Sequence, residues 1–113
     1  MSKYTELSDF EINKKVAEKL GLHIDDFYKQ VSPDDYNNSE IYVSVNKNDY
    51  HKDSFDPCNN LVDAMPIIIE NGISMVRVNN TWSARQFNNH CIEINGDNYY
   101  RIAMEVYLLM NEK

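Results

Sequence analysis

Apolar residues first recur at helical spacing near the N-terminus of the chain. Ser8 and Glu11 stand three residues apart, as in a capping box, and Gly21 follows as a left-handed stop. The pattern therefore predicts a helix over residues 9–20. Its apolar positions are Phe10, Ile12, Val16, Ala17 and Leu20. Its polar positions, which we expect to form a solvated outer face, are Asn13, Lys14, Glu18 and Lys19.

The segment from residue 22 to 39 has turn-forming residues in place of a hydrophobic period, with room for one short helical turn near 24–30. It is also the most acidic part of the chain. Its paired carboxylates are Asp25, Asp26, Asp34 and Asp35. A solvated loop is the simpler interpretation. The functional alternative is a patch that mimics nucleic-acid phosphates or binds calcium, although no EF-hand spacing supports calcium.

Alternation of apolar and polar residues predicts four strands. Residues 41–45 alternate cleanly, and residues 73–78 and 81–87 flank the turn-forming pair at 79–80 as a hairpin. A further strand is predicted at 90–94. Together these segments predict an α+β domain with a four-stranded, mostly antiparallel sheet, one face of which is covered by about three helices.

The last predicted helix follows a turn at residues 95–98. Its apolar stripe consists of Tyr99, Ile102, Ala103, Val106, Leu109 and Met110. Tyr100 and Leu108 lie off this stripe, so part of a second face is apolar. We expect that face to be available to a partner or to the second subunit of a homodimer.

The stretch from Phe55 to Ile73 contains the densest apolar run and a second helix. Asn59 or Asn60 is suited to cap its start, Asp63 favours the positive end of the helix dipole, and Asn71 precedes a glycine that ends it.

Pro66 interrupts this helix because it lacks the N–H that would bond back to Val62. We therefore predict a kink, or a first turn separate from the second, with residues 67–69 pressed on the core. Such a bend exposes backbone groups. A small molecule or nucleotide bound in a pocket near the kinked helix at 59–71 is thus one functional hypothesis.

Size and charge narrow the classes of function. The 113 residues suit a single domain, 1–113, and no apolar run approaches the roughly 20 residues that cross a bilayer. The N-terminus has no apolar core typical of a signal peptide, so we expect a cytoplasmic protein. The net charge is −7 with scattered Lys and Arg, which argues against direct binding to nucleic acid.

Catalytic and metal-binding patterns are weak. Cys58 and Cys91 are far apart and fit reduced structural thiols, and His90 beside Cys91 would point to the opposite face of a strand. No nucleophile, phosphate or dinucleotide motif is present, so the sequence predicts no enzyme and no cofactor. The alternating Asp49, His51 and Asp53 suit a metal chemically, but a solvated loop is the simpler interpretation.

Several short runs resemble one family. They are residues 7–17, the run Phe55-Asp56-Pro57-Cys58-Asn59-Asn60, the pair Asp63-Ala64, the run Pro66-Ile67-Ile68, Trp82 and residues 101–104. In these runs the chain resembles the small phage and prophage proteins with NinX-like and phage ABA-sandwich domains. Met65 stands where that family has an aromatic residue. The resemblance implies a sandwich of helices and sheet and a phage accessory role, without an established activity.

Our leading hypothesis is a non-enzymatic accessory protein that binds a host protein, including a component of a defence or nucleic-acid-processing complex. The polar run before the second helix and the sole tryptophan are the candidate binding positions. These residues are Asp56, Cys58, Asn59, Asn60, Asp63 and Trp82. The four aspartates of the acidic segment form a second candidate patch.

Overall fold

The fold is seen in a computed structural model that describes residues 4–25, 41–44, 53–86 and 92–112. Three helices and two small antiparallel sheets occupy these ranges, which confirms the α+β class. The helices are α1 (Asp9–Leu20), α2 (Leu61–Glu70) and α3 (Tyr99–Met110). The strands are β1 (His23–Asp25), β2 (Ile41–Ser44), β3 (Asp53–Phe55), β4 (Ser74–Val78), β5 (Thr81–Gln86) and β6 (Ile92–Gly96).

Side-chain caps set the helix starts. The Ser8 hydroxyl accepts the Glu11 N–H at 3.2 Å, and Gly21 ends α1 at a φ of 75°, as the capping box predicts. Asn98 caps α3 by accepting the N–H groups of Tyr100 and Arg101, both at 3.1 Å. The bounds of α1 predicted from the sequence are therefore confirmed.

Helix α2 runs as one element through Pro66. Of the two alternatives that we predicted, a kink or a separate first turn, the separate first turn is therefore not formed. Proline removes only one donor, and the remaining turns are held by the cap and by packing. Ile67 and Ile68 are buried, as expected. Ile69 is 70 % exposed, so the prediction that all three isoleucines face the core is wrong for this residue. Three consecutive helical residues span about 200° of the helix surface and cannot all face one side.

The four-stranded sheet predicted from the sequence is wrong. Strands β4, β5 and β6 form a three-stranded antiparallel meander, whereas β2 belongs to a separate antiparallel sheet in the order β1-β2-β3. The partners of β2 are short polar segments that we predicted as helical turn or loop. Main-chain hydrogen bonds to β2, not an apolar pattern, define them as strands.

Helix α3 lies at the centre of the fold. One side packs on β5 and β6, and its other sides contact α1 and α2. Gly96 permits the close approach of β6, since a Cβ there would lie 2.7 Å from Cγ2 of Ile102. Leu108 is 2 % exposed and belongs to the core. The prediction that Leu108 is part of an available second apolar face is therefore wrong, because Leu108 packs in the core.

Candidate functional site

The candidate site is built on the segment Asp56–Asn60, which we call the marker turn. The N–H groups of Asn59 and Asn60 both donate to the Asp56 carbonyl, at 3.1 and 2.8 Å. Asn60 then caps α2 by accepting the Val62 N–H at 2.9 Å. The Asp63 carboxylate accepts the Asp56 N–H at 3.0 Å and thereby closes the turn from the helix side.

Asn13 of α1 fastens the marker turn to the rest of the fold. Its Nδ2 donates to Oδ1 of Asp56 at 2.7 Å, and its Oδ1 accepts the Cys58 N–H at 3.1 Å. The side chain is 5 % exposed, so our assignment of Asn13 to a solvated outer face is wrong. Its position three and four residues before the buried Val16 and Ala17 was the available sequence signal.

Asn59 joins three parts of the chain although it is exposed to solvent. Its Nδ2 lies 3.1 Å from Oδ2 of Asp9 and 3.2 Å from Oδ1 of Asp56. Its Oδ1 accepts from Nδ2 of Asn98, the cap of α3, at 3.3 Å. The marker turn therefore contacts the first residue of α1 and the cap residue of α3.

Cys58, the central residue of the marker turn, has no exposed surface. Its thiol donates to the Asp9 carbonyl at 3.9 Å, a weak sulfur hydrogen bond. Burial raises the pKa of the Cys58 thiol far above its ordinary value, and the nearby Asp9 carboxylate adds to the effect. The thiol is therefore protonated at neutral pH and is not a nucleophile. Its free, buried state agrees with the predicted reduced structural thiol.

Arg101 forms a second network of polar contacts in this region. We did not predict it as a site residue. Its Nη1 lies 2.6 Å from Oδ1 of Asp9, and its Nε lies 3.2 Å from Oε2 of Glu105. Its Nη2 donates to the carbonyls of Tyr4 and Leu7 at 2.9 and 2.8 Å. The guanidinium thus ties the N-terminal segment and α1 to the first turn of α3.

The balance of charges around Arg101 favours ionisation. Burial alone lowers the pKa of Arg101, but hydrogen bonds to Asp9 and Glu105 outweigh it, and the pKa is raised. The Arg101 and Glu105 side chains are 13 % and 6 % exposed. Their spacing of four residues on one helix was the sequence signal for the pair.

Trp82 packs at the rim of the core and is partly buried. Its ring meets Tyr99 edge-on with centroids 4.9 Å apart, and the Arg77 guanidinium carbon lies 5.1 Å from its centroid. Tyr99 directly follows Asn98, which bonds to Asn59. Trp82 therefore lies toward the same end of α3 as the marker turn, but its ring contacts are with α3 and β4.

The structure describes only one of the four aspartates of the predicted acidic patch. The backbone of Asp25 belongs to β1, and Asp26, Asp34 and Asp35 lie outside the described residues. Asp49 and His51 also lie outside them. Within the described ranges, no group of three His, Cys, Asp or Glu side chains could hold a metal ion. The phosphate-mimicking patch stays a prediction.

A surface cleft of about 330 Å³ lies between the N-terminal segment, α1 and α3. Its walls are formed by Tyr4, Lys15, Glu18, Lys19 and Leu108. None of these residues belongs to the segment 59–71, so this cleft is not the pocket predicted near α2. A small-molecule site at 59–71 stays a prediction.

The contacts around the marker turn connect α2 to α1 and α3. The polar atoms of Asp56, Asn59, Asp63 and Asn13 bond to one another or to neighbouring backbone, and the thiol is enclosed. These contacts hold α2 against α1 and α3. The side chains of the marker turn therefore stabilise the positions of the three helices.

Comparison with known proteins gives one family. The model of the family described as "Bacteriophage P22, NinX" matches residues 3–111, nearly the whole chain. Neither the curated proteins nor the solved structures give a significant match. In the part of the chain that the structure describes, no helix is long and apolar enough to cross a membrane.

Proposed function

This chain belongs to the bacteriophage P22 NinX family, and we propose that it is a phage accessory protein that acts without catalysis, by binding a host protein inside the infected cell. The family match supports the phage context. The binding of a host protein is our inference from the chemistry of the marker turn and from the surface beside it.

The polar groups of the marker turn make hydrogen bonds within the protein, which supports a role other than catalysis. A nucleophilic cysteine needs a thiolate that substrate can reach, whereas Cys58 is 0 % exposed with a raised pKa. The side chains of Asp56 and Asp63 are engaged with Asn13 and with the backbone. These groups stabilise the junction of the three helices, which leaves the outer surface to make contacts with other molecules.

The observation that carries the proposal is the exposure of large apolar side chains on α2, directly after the marker turn. Leu61, Val62 and Ile69 are 53 %, 76 % and 70 % exposed. Apolar groups that are clustered on a surface mark sites of protein association, since single exposed apolar residues are common but grouped ones are not. We therefore assign the function to a protein contact.

The net charge of −7 suits a host partner with a basic surface, because complementary charge speeds association and favours the correct partner. A host defence or nucleic-acid-processing complex fits this requirement. One form of the proposal is mimicry of nucleic acid by the acidic segment. Replacing Asp25, Asp26, Asp34 and Asp35 by Asn should then abolish inhibition of a DNA-binding host protein, and unchanged inhibition would exclude this form.

Affinity capture tests the proposal. Tagged protein, shown by circular dichroism to be folded, is incubated with lysate of the host cell and recovered with what it binds. We expect one host protein in near-equal molar amount after washing. Folded protein that retains no host protein in stoichiometric amount would contradict the proposal.

A further inference from the structure

The outward side of α2 is apolar along its length. Ala64, Ile67 and Ile68 face the core, and the opposite side carries residues at spacings of three and four, which lie above one another on a helix. These residues are Leu61, Val62, Met65, Pro66 and Ile69, which we call the outer face of α2. Met65 is partly buried, and the other four are exposed.

Carboxylates border this outer face on one side. At about 100° per residue, Asp63 and Glu70 lie on the same side of the helix as each other, next to Pro66 and two turns apart along the axis. Glu70 is exposed, and the helix contains no Lys or Arg. The surface therefore combines an apolar centre with a negatively charged flank.

Helix α2 is held at both ends, so its outer face is presented in a fixed position. Asn60 and Asp63 anchor the start through the marker turn. At the other end, Nδ2 of Asn71 donates to the Ile67 carbonyl at 2.8 Å, and Nε2 of Gln86 donates to the Asn71 carbonyl at 3.2 Å. A surface that is already ordered loses little conformational entropy on binding.

We propose that the outer face of α2 docks onto a host-protein surface that is apolar at its centre and carries Lys or Arg beside the exposed Glu70. This inference rests on the proposed function and names its surface. The charge of the chain favours a host protein over a second copy of this chain as the partner of this face. Two copies would each bring a net charge of −7 and an acidic flank without a cation on α2. A symmetric contact between the α2 helices of two copies would bring like charges together, whereas a basic rim on a host protein supplies the opposite charge.

Photo-crosslinking locates the partner. A benzoylphenylalanine replaces Ile69 in one protein and the exposed Glu18 of α1 in a matched control, and each is irradiated in host-cell lysate. We expect position 69 to crosslink to a host peptide that contains apolar and basic residues, and position 18 to give no such product. A crosslink from position 69 to a second copy or to the same chain would overturn the inference.

Variants of the purified complex test the two parts of the surface separately. We expect Val62→Asn combined with Ile69→Asn to weaken binding about tenfold or more, as for buried interface anchors. Glu70→Gln should weaken it several-fold, to about a fifth of the original affinity, and reduce its dependence on salt. Glu18→Gln serves as the control for lost charge and should have little effect.

These results separate the two proposals. A captured host protein that binds the Val62 and Ile69 variant as tightly as the original protein would overturn the α2 surface and leave host binding intact. If the original protein retains no host protein, the proposed function fails and this surface fails with it. All variants alter exposed side chains, and circular dichroism is the check that each variant folds.

Discussion

Asn13 and Asp56 are joined by a hydrogen bond of 2.7 Å, although 43 residues separate them in the chain. The same Asn13 side chain accepts the Cys58 N–H. One amide thus satisfies a carboxylate and a buried backbone donor in the marker turn, and it couples α1 to the start of α2.

Replacing Asn13 by Ala should destabilise the fold. The Cys58 N–H would lose its acceptor in a buried place, which costs about 1–3 kcal/mol of unfolding free energy. Urea denaturation measures the loss. Lys14→Ala on the same helix is the control and should change stability by less than about 0.5 kcal/mol. Equal stabilities for the two variants would contradict the role of Asn13.

Arg101 should matter more to stability than its partner Asp9. Arg101→Met leaves the Glu105 carboxylate, 6 % exposed, without its counter-charge, and the loss of one member of a buried pair costs about 3–5 kcal/mol. Asp9 is 43 % exposed, so Asp9→Asn should cost about 1 kcal/mol or less.

The test for Arg101 is urea denaturation of both single variants and of Arg101→Met combined with Glu105→Gln. The double variant should recover part of the stability that Arg101→Met loses, because the buried charge is gone. A double variant less stable than Arg101→Met alone would show that the Glu105 charge is not the cause.

Signals between residues close in the chain were sufficient to predict where helix α1 begins and ends. The sequence held no comparable signal for which strands pair. The caps at Ser8 and Gly21 act within a few residues, so their pattern predicted the bounds of α1. The pairing of β2 depends on main-chain bonds to polar segments on both sides of it in the chain. Each of these segments has only three residues, too few for alternation to indicate a strand, and the four-stranded sheet was predicted in error.

Sequence analysis found the part of the candidate site that is local in the chain and missed the partners that are distant in the chain. Asp56, Asn59 and Asp63 do meet in one region, as a polar run with a helix cap indicated. Their partner Asn13 was assigned to a solvated face because asparagine is polar, although its spacing from Val16 placed it on the buried side. Arg101 was missed because a charged pair on a helix is usually solvated.

Cys58 should resist alkylation in the folded protein. The thiolate is the reactive form, and burial raises the pKa of this thiol. Iodoacetamide at pH 8 is added to native and urea-unfolded protein, and mass spectrometry of the Cys58 peptide follows the reaction. We expect rapid modification only after unfolding. Equal rates in the two samples would mean that the thiol is accessible and reactive.

Alkaline stability should depend on Tyr4. Burial and the hydrogen bond from its hydroxyl to Glu112 raise the pKa of Tyr4 from 10.0 to about 12. Between these values the folded state keeps a proton that the unfolded state releases, so its contribution is complete below pH 10 and is lost as the pH rises to 12.

Tyr4→Phe removes this contribution. The free energy of unfolding, measured by urea denaturation from pH 8 upward, should fall less steeply above pH 10 in the variant than in the original protein. Burial also raises the pKa of Cys58 and Tyr107, so some decline remains in both proteins. Identical slopes for the two proteins would contradict the effect of Tyr4.

The three consecutive isoleucines of α2 offer the most direct test of the claim that this helix contacts a host protein. In the free protein, a soluble paramagnetic chelate should broaden the methyl signals of Ile69, which is 70 % exposed, and leave those of Ile67 and Ile68 sharp, since each is 4 % exposed. When the captured host protein is added to saturation, the Ile69 signals should be protected from the chelate. Ile69 methyl groups that stay as strongly broadened in the complex would contradict the claim.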